Sequence, residues 1–597
     1  MRVGLRFAAL ILLVFLAIGW ASLTADAEET TIPYKTRISG VESSKLQDLL
    51  EQVSQLVAFE DGPTDSEAAL RRRANGDMDR LRDVMTSAGY YDAALSYEID
   101  KTAKPWQVRV KIEPGEPYLL REVKVEPAQG TVLPPGISFE PAEIQLEIGT
   151  RAQAVMILDA EARVVLRCTE NGYPLAKVVG RETVIDKADH SMHVTYKLDP
   201  GPVAAFGATE IVGLEEVKRA YVERRIAWSE GDLYDSRKLQ AIQKALVDSN
   251  LFATVRVRPA ETVGEDGRIG IKIDLGERRP RSIGGGVYYD SSLGPGIRAF
   301  WEHRNLFGEG EKVHVEGRLG TEQEAALVEF LRPDFLIRDL DLRSAISLSK
   351  EQSDAYDDRR ATAFAGVIRR FDPTLTGGTG VEYQQAHVRD DRGPEDYTVL
   401  DLPLFLRRDD TDDLLNPTRG TRLGLTVTPY HSIDGADLNF VGIRATASGY
   451  QRLGESDRFI LAGFGNVGSL DGVSLGDLPR DLRLYAGGGG SVRGYGYQQA
   501  GPLDADNDPV GGLSSLEMGI ELRAKITETI GIVTFFEGGS VFDTAYPDPT
   551  ERLFWGTGAG IRYYSPIGPL RFDIAFPLDK RKSDDPFQFY ISLGQAF

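Results

Sequence analysis

Few residues of this chain have the types and spacing that metal or enzyme chemistry requires. The run Asp504-Ala505-Asp506-Asn507-Asp508 alternates carboxylates as a calcium loop does, but Pro509 stands where an EF-hand needs glycine and Ser515 where it needs the terminal acid. A solvated acidic loop is the simpler interpretation. The six histidines have no tight ligand spacing, and the sequence contains neither H-E-x-x-H nor G-x-S-x-G. We therefore predict no metal, no cofactor and no enzymatic activity.

The other candidate signals favour structure over catalysis. Gly556, Gly558 and Gly560 have part of the spacing of a nucleotide fingerprint, but no strand–helix–strand unit surrounds them, and we expect barrel glycines. Cys168 is the single cysteine, so the chain can form no intramolecular disulfide, and we expect it to be buried in a helix. The net charge of -21 argues against a nucleic-acid partner, because neutralising phosphates requires clustered Lys and Arg.

The last twelve residues, 586–597, have the alternation of a strand with one apolar and one polar face. Gln595 is the single exception on the apolar face, whose other members are Phe587, Phe589, Ile591, Leu593 and Phe597. A soluble edge strand of this kind would expose its backbone to aggregation, whereas a closed membrane barrel pairs its last strand with its first. The end of the chain therefore predicts an outer-membrane barrel.

The region 281–597 has no helical period and contains sixteen candidate strands, an even number as bacterial single-chain barrels require; fourteen and eighteen are the alternatives. The expected fold class is a membrane all-β barrel of 16 antiparallel strands. Short connections are expected on the inner side, and the longest, from about 469 to 512, on the outer side. Polar residues between the alternating apolar ones are expected in the lumen, namely Glu517, Glu521, Arg523, Arg571 and Asp573.

The region before the barrel divides into a targeting segment and three modules. Arg2 and Arg6, the apolar run 7–18 and Ala25-Asp26-Ala27 predict a signal peptide over 1–27. Three times a helical stretch ends and a strand opens, at Gly89-Tyr90, Gly172-Tyr173 and Asn250-Leu251. We predict three small α+β modules, at 28–116, 117–201 and 202–280.

Four motifs in the barrel region identify a family resemblance. They are the loop Gly487–Tyr495 with Val492, Arg493, Gly494 and Tyr495; Phe535-Phe536-Glu537-Gly538-Gly539; the glycine-rich stretch 558–571; and the strand ending at Phe597. In this order they resemble the BamA/TamA (Omp85) superfamily of outer-membrane assembly and secretion barrels. The resemblance implies that the modules are periplasmic POTRA domains and that the arginine loop folds back into the lumen. Three POTRA domains are typical of the TamA-like branch, the barrel subunits of translocation and assembly modules.

The resemblance also implies a partner for the loop arginine. An unpaired buried charge costs several kcal/mol, so Arg493 needs a carboxylate in the lumen. The acidic position of the family motif falls on Glu537, where the family more often has Asp, and Asp573 and Glu517 are reserve partners. If Glu537 faces inward, Phe535 does too, which requires that the loop pack on it.

The resemblance further implies a mechanism at the seam between the first and last strands. Gly284, Gly285 and Gly286 either loosen the register of the first strand or form a sharp barrel corner. Phe589, Ile591, Leu593 and Phe597 are expected on the other side of this seam.

Opening of that seam would let client strands template on the first strand and pass into the lipid. The implied function is assembly or insertion of outer-membrane proteins, such as autotransporters. The implied partners are unfolded outer-membrane clients, outer-membrane lipid and a TamB-like, inner-membrane-anchored periplasmic protein. A two-partner secretion pore and a role in envelope phospholipid transport are the alternatives.

Overall fold

The computed structural model describes residues 32–60, 62, 64, 66–290, 294–435, 437–454 and 456–597, without the side chains of 288–290. The predicted signal peptide, 1–27, lies outside these residues. The chain forms two compact units, one of residues up to 209, 228–239 and 259–271 and one of residues 210–227, 240–258 and 272–597. The third predicted module contributes to both units, and the domain boundaries stay predictions.

Three three-stranded sheets precede the barrel, as predicted. The first has the order β1-β3-β2 and packs with α1 to α3; its elements are β1 (Tyr34–Ser39), α1 (Ser44–Val53), α2 (Gln55–Ala58), α3 (Glu67–Ser87), β2 (Ala94–Asp100) and β3 (Trp106–Glu113). The second has the order β4-β6-β5, from β4 (Leu119–Pro127), α4 (Ala154–Thr169), β5 (Lys177–Asp186) and β6 (Ser191–Asp199). The third has the order β7-β9-β8, from β7 (Ala205–Val212), α5 (Arg219–Glu223), α6 (Ser236–Asp248), β8 (Phe252–Pro259) and β9 (Arg268–Glu277).

The repeat seen in the sequence marks the ends of the main helices. The chain after α3, α4 and α6 turns at a residue of positive φ, at Gly89 (91°), Gly172 (94°) and Asn250 (59°). Glycine and asparagine tolerate this left-handed conformation, which ends a helix and turns the chain. The three modules thus repeat one chain reversal.

The second module shows how helix and strand periods build these cores. Ile157, Ala160, Val164 and Cys168 repeat at helical spacing on one face of α4, and all are buried against the inner face of the sheet. Burial raises the pKa of the Cys168 thiol to about 11, so this cysteine is a core residue and a poor nucleophile. Within the described residues, no helix is long and apolar enough to cross a membrane.

The barrel sheet contains seventeen consecutive antiparallel strands. They are β10 (Arg281–Asp290), β11 (Gly294–His303), β12 (Lys312–Gly320), β13 (Gln323–Arg332), β14 (Leu340–Gln352), β15 (Asp357–Arg370), β16 (Leu375–Asp390), β17 (Gly393–Asp401), β18 (Leu404–Asp409), β19 (Gly420–Asp434), β20 (Phe440–Arg452), β21 (Phe459–Asp471), β22 (Ser514–Lys525), β23 (Ile530–Phe542), β24 (Phe554–Ser565), β25 (Gly568–Pro577) and β26 (Gln588–Leu593).

The difference from the predicted sixteen strands arises at one break. β17 and β18 both pair with β16 on one side and β19 on the other, so together they occupy a single position in the sheet. The break falls at Leu402-Pro403, and a proline has no N–H to give to a ladder. Seventeen strands therefore fill sixteen positions in the sheet. Because sixteen is an even number, β10 begins and β26 ends at the same end of the barrel.

Candidate functional site

The long connection between β21 and β22 returns into the barrel and is held there by the backbone of β24 and a side chain of β26. Val492 and Tyr495 are buried, and the Tyr495 hydroxyl donates to the backbone oxygen of Trp555 (3.1 Å). Tyr590 of β26 accepts from the Gly494 N–H (3.0 Å) and donates to the Tyr495 carbonyl (3.1 Å). The predicted loop motif is thus anchored inside the lumen through its backbone as well as its side chains.

Arg493 lies at the centre of this anchor and is 0% exposed. Its backbone N–H and its Nε both donate to the Glu537 carboxylate, at a distance of 3.0 Å in each case. Its Nη2 also donates to that carboxylate. Its Nη1 donates to Asp573 (2.6 Å) and its Nη2 to Glu521 (3.0 Å). The guanidinium carbon stands 3.4 Å from the centroid of the Phe535 ring, so the inward-facing phenylalanine is covered by the loop, as the sequence required.

Two of the three carboxylates around Arg493 also hold arginines of the barrel wall. Arg523 pairs with Glu521 over 2.6 Å, and Arg562 pairs with Asp573 and with Glu521. The fourth guanidinium, of Arg571, lies 3.7 Å from Asp573. Four buried guanidiniums thus share three buried carboxylates. Glu521 and Asp573 serve the loop and the wall together, whereas Glu537 binds only Arg493 among the described residues.

The structure brings two of the three predicted partner residues to Arg493. Glu537 and Asp573 contact Arg493, but Glu517 does not, and its place is taken by Glu521. The reason is depth: Glu517 is opposite Gly539, near the loop end of β22, whereas Glu521 is opposite Phe535, on whose ring the guanidinium rests. Glu517 instead accepts from the Asn466 amide (3.4 Å).

Two glycines of β24 make room for the charge cluster. A Cβ on Gly556 would lie 1.9 Å from the Arg493 carbonyl oxygen, and one on Gly560 would lie 1.9 Å from Asp573 Oδ1. Gly556 therefore leaves room for the backbone of the loop, and Gly560 leaves room for the carboxylate that the loop arginine binds.

The ends of the barrel sheet approach each other without pairing. β10 pairs with β11 without a register shift, from Arg281 opposite His303 to Asp290 opposite Gly294. No ladder joins β10 to β26 in the described part of the chain. Ile283 and Val287 on the outward face of β10 are 85% and 86% exposed, because no strand covers their flank.

The three glycines of β10 do not form the sharp corner that was one of the two sequence interpretations. Gly284, Gly285 and Gly286 lie in an unbroken register with β11, so they form no bulge or corner. A Cβ on Gly284 would lie 2.5 Å from the Phe300 ring, whereas one on Gly286 would meet nothing within 4 Å. Gly284 thus makes space for an aromatic ring of the neighbouring strand.

The last residues of the chain correct the prediction for Phe597. Phe589, Ile591 and Leu593 point outward on β26 as expected, but Gly594 has φ +91° and turns the chain. Phe597 then lies inside the barrel, with its ring centroid 4.6 Å from that of Phe464. Arg562 donates to the Gln595 side chain over 2.8 Å. We call residues 594–597 the tail.

A second segment holds the tail from across the lumen. In the β18–β19 connection, residues 410–419, the Leu415 carbonyl accepts from the Gln595 N–H (3.1 Å), and the Asn416 Oδ1 accepts from the Gln595 amide (2.9 Å). The Pro417 carbonyl accepts from Arg523, which also donates to the Phe597 carbonyl. The inward tail is therefore fixed by specific contacts, and no sequence motif indicated this role for 410–419.

The acidic run that resembled a calcium loop forms local turns. Asp504 accepts from the N–H groups of Asp506 (3.0 Å) and Asp508 (2.9 Å) and from Arg480 (3.1 Å). Its carboxylate oxygens thus accept from two backbone N–H groups and from one arginine. Across the described residues, no group of three or more His, Cys, Asp or Glu is arranged to hold a metal ion.

Comparison with known families agrees with this geometry. The Omp85 superfamily domain matches residues 305–597, and the model for POTRA domain TamA domain 1 matches residues 35–114. The chain belongs to the Omp85 superfamily. As an Omp85 protein it lies in the outer membrane, with its POTRA domains in the periplasm.

Individual relatives of this Omp85 protein are outer membrane protein assembly factors BamA. The factor of Nitratidesulfovibrio vulgaris is 25% identical over 71% of this chain and 55% of its own length, so this chain spans little more than half of that relative. That of Neisseria meningitidis serogroup B is 22% identical over 87% of this chain and 72% of its own length. The crystal structure of BamA from Haemophilus ducreyi lacking POTRA domains 1-3 has the same fold, with a TM-score of 0.63 and 18% identity over 78% of this chain and 98% of that one.

Proposed function

We propose that this Omp85 protein assembles outer-membrane β-barrel proteins, autotransporters among them, in the manner of the TamA-like branch. The single observation that carries the proposal is the seam, where β10 and β26 end the sheet without a ladder between them in the described residues. An unpaired strand edge at membrane depth leaves N–H and C=O groups unsatisfied, at a cost of several kcal/mol for each group. A client strand that paired with the edge of β10 would satisfy these groups.

The tail supports the same proposal. Because Gly594 turns the chain inward, residues 594–597 lie inside the lumen and do not extend β26 along β10. β26 is therefore only six residues long, whereas β10 has ten. The mismatch leaves part of β10 available to a client while the tail stays in place.

The periplasmic modules are proposed to receive unfolded clients and a TamB-like, inner-membrane-anchored partner. β5 is an outer strand of the second sheet, and its Val179 and Val184 are 54% and 61% exposed. An exposed edge with apolar side chains can accept an extended segment through main-chain hydrogen bonds. The match of residues 35–114 to a TamA-type POTRA domain supports the assignment to this branch.

A disulfide lock across the seam tests the proposal. In a Cys168→Ser background, Val287→Cys is combined in turn with Phe589→Cys, Ile591→Cys and Leu593→Cys, all on the outward face, and the pair that oxidises is carried forward. We expect client assembly by the locked protein in liposomes to stop and to return on reduction.

The matched control keeps the cysteine on β26 and places the second cysteine on β25, which already pairs with β26. Phe572 is opposite Ile591 in the β25–β26 ladder, so a Phe572→Cys and Ile591→Cys disulfide leaves the seam free. Full assembly by the seam-locked protein would contradict the proposal. Assembly blocked equally by the control disulfide would also contradict it, because strand separation at the seam would then not be the step that fails.

The two alternatives give different results in the same experiment. A secretion pore would move its client through the lumen, where the loop around Arg493 and the tail both lie, so a seam lock would leave secretion intact. Phospholipid transport with a TamB-like partner would be measured as lipid transfer, and its loss without loss of client assembly would favour that role.

A further inference from the structure

The outward face of β14, β15 and β16 carries a shallow apolar channel. β15 presents alanines there, at Ala361, Ala363 and Ala365. The outward positions beside them carry larger side chains except at Ser344, and all of the larger ones but Gln385 are apolar or aromatic; they are Ile346, Leu348, Val381, Tyr383 and Gln385. Ile346 and Tyr383 are opposite Ala363 on the two sides and are 61% and 40% exposed. Small residues between large ones leave a trough along β15 that runs in the strand direction.

Basic side chains stand at one end of this channel. Lys350, Arg359 and His387 are opposite one another on β14, β15 and β16, one step beyond Leu348 and Ala361 on the same face. Arg389 follows His387 at the next outward position. Successive side chains of a strand point to opposite faces, so the neighbours of these residues along the chain, such as Asp358 and Val388, face inward and are buried.

Two of these cations have no partner among the residues that the structure describes. Arg359 and Arg389 are exposed, and neither forms a hydrogen bond or an ion pair with any residue that the structure describes. They occupy diagonal positions on neighbouring strands, which are about 7–8 Å apart. Two free guanidiniums at this spacing are suited to an anion with several oxygens, because each guanidinium offers a fork of donors.

The carboxylates on the same face leave these two arginines free. Glu324 lies 3.9 Å from Lys350, and Asp396 lies 2.7 Å from His387, so both are directed at the flanking bases. Asp357 is opposite Arg389 in the ladder but forms no ion pair with it within the described residues. The positive centre of the patch is therefore Arg359 with Arg389.

The patch lies at the level of the outer leaflet. β14 and β16 run away from the end at which β10 begins, and the patch is at their far ends, the same end as the connection between β21 and β22. The POTRA modules precede β10 and lie in the periplasm, so this far end faces the outside of the cell. A guanidinium at the upper border of the apolar band meets lipid head groups.

We propose that this face is a binding site for a phosphorylated lipid of the outer leaflet, with a head-group phosphate on Arg359 and Arg389 and an acyl chain in the alanine channel. The inference rests on the outer-membrane location and not on the assembly function. The site has a positively charged end and an apolar trough that continues from it along β15. A lipid with an anionic head group and an acyl chain has the matching arrangement. A soluble anion would use the arginines alone.

Native mass spectrometry of the detergent-solubilised full chain, titrated with diphosphoryl lipid A, tests the site. We expect Arg359→Ala with Arg389→Ala to weaken binding at least tenfold, because both phosphate contacts are removed. Ala363→Leu fills the trough without changing the charge, and we expect it to weaken binding of the lipid as well. Inorganic phosphate in excess is expected to leave the lipid bound, since it cannot replace the acyl contact.

The control removes two other cations from the same end of the barrel. Lys580→Ala with Lys582→Ala, in the β25–β26 connection, changes the net charge equally, and we expect unchanged lipid binding. Unaltered binding by the double arginine variant would overturn the proposal. Equal weakening by the lysine control, or displacement of the lipid by inorganic phosphate, would overturn it too, because the site would then be a general attraction for anions.

Discussion

Arg493 is held by charge, by backbone and by an aromatic ring at once. Glu537 accepts from its backbone N–H and its side chain, and the Phe535 ring lies under its guanidinium. Because Glu521 and Asp573 also bind arginines of the wall, the loop shares its counter-charges with the barrel. Exchanging the charges of Arg493 and Glu537 would set a carboxylate beside Glu521 and Asp573, so we expect such a swap to restore nothing.

Glu537→Gln is the sharpest single test of this cluster. The change leaves four guanidiniums with two carboxylates, and breaking a buried pair in this way costs about 3–5 kcal/mol. We expect the folded barrel to convert to the unfolded form at a lower temperature in heat-modifiability gels. Glu517→Gln, at a lumen carboxylate that does not contact Arg493, is the matched control and should behave as wild type. Equal heat stability of the two variants would contradict this account of the cluster.

Sequence reasoning found the arginine and two of its three carboxylates. Inward facing of Glu521 was also predicted from alternation, but alternation gives a face and not a depth. Which of two inward acids on β22 meets the loop depends on how far the loop descends, and that is set by the Phe535 ring and by the space at Gly556.

At the scale of elements, the sequence predicted the strands well and missed the places where they stop. The alternation of Phe589, Ile591 and Leu593 was correct, and Gln595, the one residue that broke it, was the sign that the strand ends. The tail turns because Gly594 adopts a positive φ, which a sequence pattern does not reveal. Pro403 similarly divides one predicted strand into β17 and β18.

Gly594→Val tests whether the inward tail depends on that conformation. A β-branched residue at positive φ is disfavoured by about 1–2 kcal/mol, so the turn should open and release the tail. In a Cys168→Ser background with Ala596→Cys, we expect faster labelling by a water-soluble maleimide than with Gly594 intact. Gly449→Val on β20, where a side chain would meet nothing within 4 Å, is the control and should leave the labelling rate unchanged. Identical labelling in all three proteins would mean that Gly594 does not hold the tail.

At the scale of the whole molecule, the described barrel is closed by its own chain from two sides. The loop around Arg493 occupies the lumen from the outer end, and residues 410–419 with the tail occupy it from the periplasmic end. Both closures meet at Arg523, which binds Glu521 beside the loop and the Pro417 carbonyl below. A barrel built in this way is expected to conduct ions poorly although it has sixteen strand positions.

Arg493→Ala should therefore raise the conductance of the full chain in planar lipid bilayers. The variant leaves Arg523, Arg562 and Arg571 beside Glu521 and Asp573, while the loop loses its anchor and Glu537 loses the one arginine that binds it among the described residues. We expect larger and more frequent current steps than for wild type, and wild-type currents for the Glu517→Gln control. An increase in a variant that still forms a folded barrel would assign the closure to the loop, whereas unchanged currents would mean that residues 410–419 and the tail close the lumen by themselves.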